Sequence, residues 1–285
     1  MGVVNQKISW YPGHMDKSFR AVKDNLKLVD IVFLLLDARI PFSSMNNNIL
    51  TTIKDKKTII LFNKCDLGDE KMLSKWMSYY SNKGFTCLKI NSINGLNVSK
   101  IAPLTKKVMQ EKILSFKNKG LILDHFRAMI LGIPNVGKST LINKLSNKAS
   151  LKTANTPGVT RSLTWLKLNE DLSLLDTPGI LEPKLTESVG INLSIIGSIK
   201  DSILPLNTVA LSAVNYLKLH YLDRINSRYN IEVSTLTSDN EILECIAKSR
   251  NAILKNNCID YDRTDMIILS DIRNGALGGL CFDFF

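Results

Sequence analysis

The segment Gly132-Ile133-Pro134-Asn135-Val136-Gly137-Lys138-Ser139 decides the fold of this chain, because it has the spacing G-x-x-x-x-G-K-S. The apolar run 127–131 precedes it and predicts a buried strand, and residues 137–145 follow with helical spacing. In that context, glycines let successive backbone N–H groups wrap a phosphate at the positive end of a helix. We expect Lys138 to contact the β- and γ-phosphates of a nucleoside triphosphate and Ser139 to supply a hydroxyl ligand to Mg²⁺. The other predicted phosphate contacts are Asn135, Val136, Gly137 and Thr140.

A second loop that faces the phosphates is predicted after the apolar run 172–175, which leads into Asp176-Thr177-Pro178-Gly179. An aspartate at a strand end beside the phosphate loop can hold Mg²⁺ through water, and the glycine three residues later lets a backbone N–H approach the γ-phosphate. Between the two loops, Thr160 is the best candidate for a second hydroxyl ligand to Mg²⁺, in a loop that is ordered only when the γ-phosphate is present. Three other threonines compete for this role: Thr153, Thr156 and Thr164.

The choice of base follows from Asn63-Lys64-Cys65-Asp66, which closes a predicted strand. In an N-K-x-D loop the aspartate accepts from the ring N–H and the exocyclic amino group of guanine, the lysine stem lies over the base, and the asparagine braces the loops. Adenine has a lone pair where guanine has its ring N–H, so Asp66 would reject it. Ser92, after the next predicted strand, marks a loop that offers a backbone N–H to the guanine carbonyl. The sequence therefore predicts a GTP and GDP site and disfavours an ATPase.

Apolar runs alternate with amphipathic stretches, which predicts an α/β fold with a mainly parallel sheet and helices on both faces. The predicted strands are 31–36, 58–62, 86–90, 127–131, 163–168 and 172–175. The predicted helices in the same part of the chain are 69–82, 97–116 and 137–145. The alternation stops near Pro183, and two later stretches, 206–225 and 239–254, have helical spacing. We predict a P-loop nucleotide-binding domain at 1–186 and a smaller, mostly helical domain at 187–285.

The net charge of +11 is distributed unevenly along the chain. Residues 1–186 contain 28 Lys or Arg against 14 Asp or Glu, whereas residues 187–285 contain 9 against 12. Such an excess of cations suits a polyanionic partner, above all nucleic acid, because each cation placed at a phosphate releases counterions. The alternative is a solvated lysine-rich face without a partner.

The sequence gives no sign of a membrane-bound or secreted protein. It lacks the run of about 18 apolar residues that crosses a bilayer, and its N-terminal region lacks a signal-peptide pattern. Its five cysteines are scattered without CxxC spacing, which predicts reduced thiols rather than disulfides or a zinc site. We expect a cytoplasmic protein with no membrane partner and no DNA partner.

The order of the motifs points to a family, because the base-contacting motifs precede the phosphate-binding ones and so reverse the usual order. This order, with Trp10-Tyr11-Pro12-Gly13-His14-Met15, Asp37-Ala38-Arg39-Ile40-Pro41 and residues 132–140, resembles the circularly permuted GTPases, and among them those of ribosome biogenesis. The resemblance implies a permuted P-loop GTPase domain. It also implies assistance to late maturation of the large (50S) ribosomal subunit, with contact to ribosomal RNA in the GTP form and departure after hydrolysis. Residues 271–275 resemble the family's terminal motif, although Ala276 stands where a lysine is usual.

The hydrolysis machinery departs from the commonest GTPase pattern at Ile180, which occupies the place of a water-orienting glutamine and cannot form the same hydrogen bonds. The resemblance implies that His14 positions the water instead. The alternatives are that His14 caps or packs the first helix, or contacts RNA. The resemblance also implies that Asn135 supports a K⁺ ion, whose charge acts where an arginine finger otherwise would. His14, Asn135, Lys138 and Thr160 form the predicted catalytic set. We expect GTP hydrolysis by the isolated protein to be slow and the large subunit to stimulate it.

Two other functions remain open at this point. One is a GTP-gated RNA-binding switch with little hydrolysis, which Ile180 favours and the intact set of Lys138, Ser139, Thr160 and Asp176 opposes. The other is a GTPase that acts on the small subunit or on another RNA. The balance of −3 over residues 187–285 departs from the RNA contact that the resemblance implies for this region. Either its basic residues cluster on one face or the GTPase domain supplies most of the electrostatic attraction; these residues are Arg224, Arg228, Lys248, Arg250 and Arg273. The sequence does not show whether K⁺ is required.

Overall fold

A computed structural model describes residues 8–9, 14–146, 165–168, 170–175 and 184–285 of the chain. The strands in these residues are β1 Ile8–Ser9, β2 Ile31–Asp37, β3 Lys57–Asn63, β4 Thr86–Lys89, β5 Phe126–Gly132, β6 Trp165–Lys167, β7 Leu172–Leu175 and β8 Lys184–Leu185. The first and last of them form a separate antiparallel pair, in which Ile8 lies opposite Leu185. The other strands build one six-stranded sheet.

The six-stranded sheet has the order β4-β3-β2-β5-β7-β6. All neighbours are parallel except β6, which runs antiparallel to β7 at one edge. In the register of the central strands, Ile31 lies opposite Lys57 on one side and Ala128 on the other. A parallel sheet needs cover on both faces, which explains why the central strands are continuous apolar runs. The predicted α/β fold with a mainly parallel sheet is confirmed.

The two faces of strand β2 belong to two different packing layers, because successive side chains of a strand point to opposite faces. Ile31, Phe33 and Leu35 pack into a core that extends to the helices after residue 186. Val32, Leu34 and Leu36 pack into the second core, which includes α1, α2 and α3 residues. The sheet is thus buried between helical layers on both sides.

The helices in the described residues are α1 His14–Leu26, α2 Asn47–Ile53, α3 Glu70–Asn82, α4 Ile101–Val108, α5 Gln110–Asn118, α6 Lys138–Leu145, α7 Glu187–Ile195, α8 Leu206–His220, α9 Leu222–Tyr229, α10 Asp239–Ser249 and α11 Tyr261–Asn274. A short 3₁₀ turn, Val98–Lys100, precedes α4. None of the helices that the structure describes is long and apolar enough to span a bilayer. All five cysteines are described and carry free thiols.

Three predicted helices differ from those observed. The stretch 97–116 is divided between the 3₁₀ turn, α4 and α5, with a break at Met109 (φ −92°, ψ 6°). The stretch 206–225 is divided at Tyr221 (φ −143°, ψ 35°), whose hydroxyl accepts a hydrogen bond from the Cys281 N–H at 3.0 Å. Helix α10 ends at Ser249 rather than at residue 254, and Asn251 adopts the left-handed conformation soon after it, with φ 53°. Each break reflects packing or backbone geometry that local spacing does not encode.

The segment 280–285 returns from the helices to the sheet and binds the loops that follow β2 and β3. The Leu280 N–H donates to the Leu67 carbonyl at 2.9 Å, and the Phe282 N–H donates to the Arg39 carbonyl at 2.8 Å. Trp76 of α3 donates its indole N–H to the Asp283 carbonyl at 3.0 Å and stacks on the Phe285 ring. These contacts join the last helices to the side of the sheet that carries β3.

Candidate nucleotide-binding site

The phosphate loop lies between the end of β5 and the start of α6, at the carboxyl edge of the parallel sheet. Gly137 adopts φ 101°, and a Cβ placed there would lie 2.3 Å from Asn63 Nδ2. A Cβ on Gly132 would lie 2.6 Å from the Leu35 carbonyl oxygen. The left-handed conformation and the close approach both require glycine at position 137, and the close approach alone requires it at position 132. The sequence therefore forms a tight backbone turn that leads directly into a helix N-terminus, which favours an anion.

Lys138 bends back into this turn. Its Nζ atom donates to the Gly132 carbonyl at 3.1 Å and to the Ile133 carbonyl at 2.8 Å, and the residue is buried. An ammonium group enclosed by the loop places a positive charge where the pattern predicts phosphates. Ser139 and Thr140 are exposed on the first turn of α6, so their hydroxyls are accessible from solvent.

Asn63, at the end of β3, joins three loops. Its Nδ2 atom donates to the Val136 carbonyl in the phosphate loop at 2.8 Å. Its Oδ1 atom accepts from the Ser92 N–H at 3.0 Å and from the Ser92 hydroxyl at 2.8 Å. Asn63 and Ser92 are both buried. The contacts fix the relative positions of the phosphate loop and the two loops predicted to bind the base.

Lys64 has a left-handed backbone conformation, with φ 56°, and its side chain crosses the site. The Nζ atom donates to the Asn135 carbonyl at 2.8 Å and lies 3.1 Å from Asp37 Oδ2. Asp66, two residues later, is exposed. An exposed carboxylate beside this loop is available to a ligand, as a guanine-binding aspartate must be.

A buried ion pair lies beneath Lys64. Arg39 Nη2 lies 2.8 Å from Asp37 Oδ2, and both side chains are almost completely buried. Burial by itself would raise the pKa of the Asp37 carboxyl, but the Arg39 guanidinium and the Lys64 ammonium outweigh it and hold that pKa well below its ordinary value. Asp37 therefore stays ionised and anchors Lys64 over the site.

The loop after β4 is organised by Asn91. Its Oδ1 atom accepts from the Ile93 N–H at 2.8 Å and from the Asn94 N–H at 3.1 Å. The Ile93 side chain is 78% exposed, so the loop presents an open surface next to Ser92. This turn shapes the backbone from which a guanine carbonyl would receive its hydrogen bond.

Several predicted site residues lie outside the described part of the chain: Thr160 with its competitors Thr153 and Thr156 and Thr164, together with Asp176, Gly179 and Ile180. His14 is the first residue of α1, and its side chain also lies outside the described part. The described structure brings together Asn63, Lys64, Ser92 and the loop 132–139. The roles predicted for the remaining residues stay predictions.

Three residues contribute to this site in a way that the sequence did not predict: Asp37 and Arg39, which belong to the quoted segment 37–41, and Gly197. Asp37 ends strand β2 in the same way as Asn63 ends β3, and that position at a carboxyl strand end was an available signal. Gly197 accepts a hydrogen bond from Asn135 Nδ2 at 2.9 Å, a contact across 62 residues of sequence. No local sequence pattern predicts a contact between residues this far apart.

Comparisons with known proteins identify the family of this chain. The sequence profile of a family described as RsgA GTPase matches residues 15–186, and that of a family described as 50S ribosome-binding GTPase matches residues 127–254. Ribosome biogenesis GTPase A of Bacillus licheniformis is 43% identical over 97% of this chain and 98% of its own length. The protein of that name from Bacillus cereus is 41% identical over 97% of this chain and 93% of its own length.

Two solved structures of YlqF share the fold. GDP-bound YlqF has a TM-score of 0.64 at 26% identity, over 93% of this chain and 98% of that chain. GNP-bound YlqF from T. maritima has a TM-score of 0.62 at 26% identity, over 94% of this chain and 97% of that chain. The fold of this chain thus matches that of two solved structures over nearly the full length of each. The chain belongs to the circularly permuted GTPases, in the ribosome biogenesis GTPase A family of GTP hydrolases.

Proposed function

We propose that this GTPase assists late assembly of the large (50S) ribosomal subunit, binds it in the GTP form and leaves after hydrolysis. The observation that carries the proposal is the match of residues 127–254, which begin at the phosphate-loop strand, to a family described as 50S ribosome-binding GTPase. The relatives named ribosome biogenesis GTPase A support it over nearly the full length. The target subunit is the part of the function that needs a direct test.

The charge of the molecule supports a ribosomal RNA partner. Helices α4 and α5 carry exposed lysines at positions 106, 107 and 117, and the exposed Lys119 follows α5 directly. Lys106 is paired with Asp171 at 2.9 Å, so part of this charge is neutralised within the protein. The remaining cations attract phosphates at long range and lose that attraction as salt screens them.

The site residues take the following roles in the proposal. Ser139, Thr160 and Asp176 would hold Mg²⁺, which neutralises charge on the phosphates. Lys138 contacts the β- and γ-phosphates, and Asp66 accepts from the guanine edge. Asn63 and Ser92 hold the base-binding and phosphate-binding loops in register, as their buried hydrogen bonds permit.

Two further residues complete the proposed hydrolysis machinery. Asn135 would help to hold a K⁺ ion next to the phosphates, and His14 would orient the attacking water. His14→Ala should then lower kcat by about 10²-fold or more while the affinity for GDP stays within about twofold of wild type. Single-turnover hydrolysis and titration with a fluorescent GDP analogue measure the two effects. An unchanged kcat would remove His14 from the mechanism.

Cosedimentation with separated ribosomal subunits tests the target. The protein should pellet with 50S subunits in the presence of a non-hydrolysable GTP analogue, and it should pellet less with GDP or with 30S subunits. Isolated turnover should be slow, and 50S subunits should accelerate it by ordering the site. Equal binding to both subunits in both nucleotide states, with equal turnover with and without them, would overturn the proposal.

A further inference from the structure

Asn135 of the phosphate loop forms hydrogen bonds through both its backbone carbonyl and its side-chain amide. Its backbone carbonyl accepts from Lys64 Nζ at 2.8 Å. Its side-chain Nδ2 atom donates to the Gly197 carbonyl at 2.9 Å, although the residue itself is exposed. The first contact comes from the base-binding loop and the second from the turn that follows α7. The orientation of this amide is therefore set from outside the phosphate loop.

Arg273 of α11 binds the end of α7, next to the turn that carries the Gly197 carbonyl. Helix α7 ends at Ile195, and Gly197 follows in the left-handed conformation with φ 74°. Arg273 donates to the Ile195 carbonyl at 3.0 Å and to the Ser194 carbonyl at 2.7 Å, both in the last turn of the helix. The Ser194 carbonyl also accepts from the Gly197 N–H at 3.0 Å, so Arg273 and Gly197 share this acceptor. A guanidinium at this end also suits the negative pole of the helix. Asp201 holds the same guanidinium at 2.6 Å.

The contacts also lead back to the base-binding loop. Arg39 donates to the Arg273 carbonyl at 3.4 Å and forms the buried pair with Asp37. Asp37 in turn lies 3.1 Å from Lys64 Nζ, which binds the Asn135 carbonyl. Arg273 is thus connected to Asn135 by two separate routes, one through Gly197 and one through the ion pair.

We propose that Arg273 is a positioning residue for the phosphate loop: by fixing the Gly197 carbonyl, it orients the Asn135 amide toward the nucleotide. A carbonyl oxygen can only accept, so the amide must turn its Nδ2 atom toward Gly197. The Oδ1 atom is then left for a ligand. A partially negative oxygen beside anionic phosphates favours a cation between them, whereas a flipped amide would present N–H groups. The inference rests on the proposed role of Asn135 in holding K⁺.

The chain offers a matched control for a test of Arg273. Arg228 also makes a bidentate contact with α11, where its Nε and Nη2 atoms bind Asp271 at 2.9 Å, but the structure gives it no contact with α7 or the phosphate loop. Arg273→Gln should disturb Asn135, whereas Arg228→Gln should disturb only the packing of α11. Asp201→Asn is a milder variant that removes the negative charge and one of the two acceptor oxygens that bind Arg273, and it serves if Arg273→Gln does not fold.

The first measurement is amide hydrogen–deuterium exchange of the nucleotide-free protein, which requires no hydrolysis. The peptide that covers residues 132–139 should exchange faster in Arg273→Gln than in wild type, because the loop loses its contact with the turn after α7. It should exchange at the wild-type rate in Arg228→Gln. Equal acceleration in both variants would overturn the proposal, since the effect would then be a general loosening of α11.

The second measurement is a double-mutant cycle on intrinsic GTP hydrolysis in potassium, without ribosomal subunits. Arg273→Gln should lower kcat by about tenfold and raise the K⁺ concentration for half-maximal activity, with a smaller change in KM. Asn135→Gly keeps the left-handed backbone (φ 57°) and removes the amide. In that background, Arg273→Gln should change kcat by less than about twofold. A full tenfold loss there would show that Arg273 acts independently of Asn135. Neither measurement depends on the 50S proposal, because no subunits are present.

Discussion

Asp283→Ala removes a carboxylate that binds the segment 280–285 to the loop after β2. The carboxylate accepts from the Phe42 N–H and the Ser43 N–H, both at 2.7 Å, and from the Ser43 hydroxyl at 2.5 Å. Asn192 of α7 donates to it at 3.0 Å. The group is buried, and this burial raises its pKa although the hydrogen bonds oppose the rise. The alanine variant would take this acceptor from the Phe42 N–H, the Ser43 N–H and the Ser43 hydroxyl, whereas Asn192 would keep its hydrogen bond to the Phe282 carbonyl at 3.1 Å.

The expected cost follows from these contacts. Hydrogen bonds to a charged group contribute about 1.5–3 kcal/mol each. The raised pKa of Asp283 indicates that desolvation of the carboxylate offsets much of that sum. We therefore expect a net loss of about 3–4 kcal/mol in the free energy of unfolding. For a chain of this size, that loss corresponds to a fall in Tm of about 8–12 °C.

Thermal unfolding followed by circular dichroism and by tryptophan fluorescence measures this loss. Trp76 reports on the segment directly, because its ring stacks on Phe285 at 4.2 Å. Asp124→Ala is the matched control, since Asp124 is an exposed aspartate in a loop and its loss should change Tm by no more than about 2 °C. Asp283→Asn keeps one acceptor oxygen and should fall between the two. If the Tm of Asp283→Ala equals that of Asp124→Ala, the Asp283 carboxylate does not stabilise the fold.

Three further variants test the site. Asp37→Asn leaves Arg39 buried without its carboxylate and should cost about 3–5 kcal/mol in urea unfolding. Folding lowers the pKa of Asp37, so the Asp37 carboxylate contributes fully to the free energy of unfolding above the ordinary pKa of an aspartate and loses that contribution only as the pH falls through the lowered pKa. The difference in free energy of unfolding between wild type and Asp37→Asn should therefore be constant from about pH 8 to about pH 5. A difference that changes in this range would contradict the ion-pair assignment. Ser92→Ala removes one of the two Ser92 hydrogen bonds to Asn63 Oδ1 and should weaken GDP binding about fivefold in a fluorescence titration, whereas an unchanged Kd would show that the hydroxyl does not brace the site. Gly137→Ala places a Cβ 2.3 Å from Asn63 Nδ2 and should abolish measurable GTP binding with little change in the circular dichroism spectrum, and wild-type affinity would refute the close approach.

The sheet could be predicted because its central strands are recognisable in the sequence. A parallel strand buried on both faces must be a continuous apolar run, and β2, β3 and β5 each lie within one residue of the predicted bounds at either end. The helix break at Tyr221 was not predictable, because it depends on a hydrogen bond to residue 281, far away in sequence. Spacing alone cannot distinguish one long helix from two helices joined by such a residue.

The same distinction applies to the site. The loops around Asn63 and Lys138 could be identified because each motif is local and its chemistry demands a fixed spacing. The contacts of Asn135 with Gly197, and of Lys64 with Asp37, join parts of the chain that meet only after folding. The motifs therefore predicted which residues bind the nucleotide, whereas the contacts that orient these residues could be identified only in the structure.

The hydrogen bond from Ser43 to Asp283 joins residues that are 240 positions apart, which has a consequence for synthesis. Chains fold from the N-terminal side as they are made, and Ser43 is translated long before Asp283. Until then the donors of this loop lack their acceptor, and the apolar surface of Trp76 lacks the ring of Phe285. Contacts of such long separation also delay folding. A nascent chain that stalls before residue 280 would thus present an incomplete, protease-sensitive surface, which distinguishes it from a finished molecule.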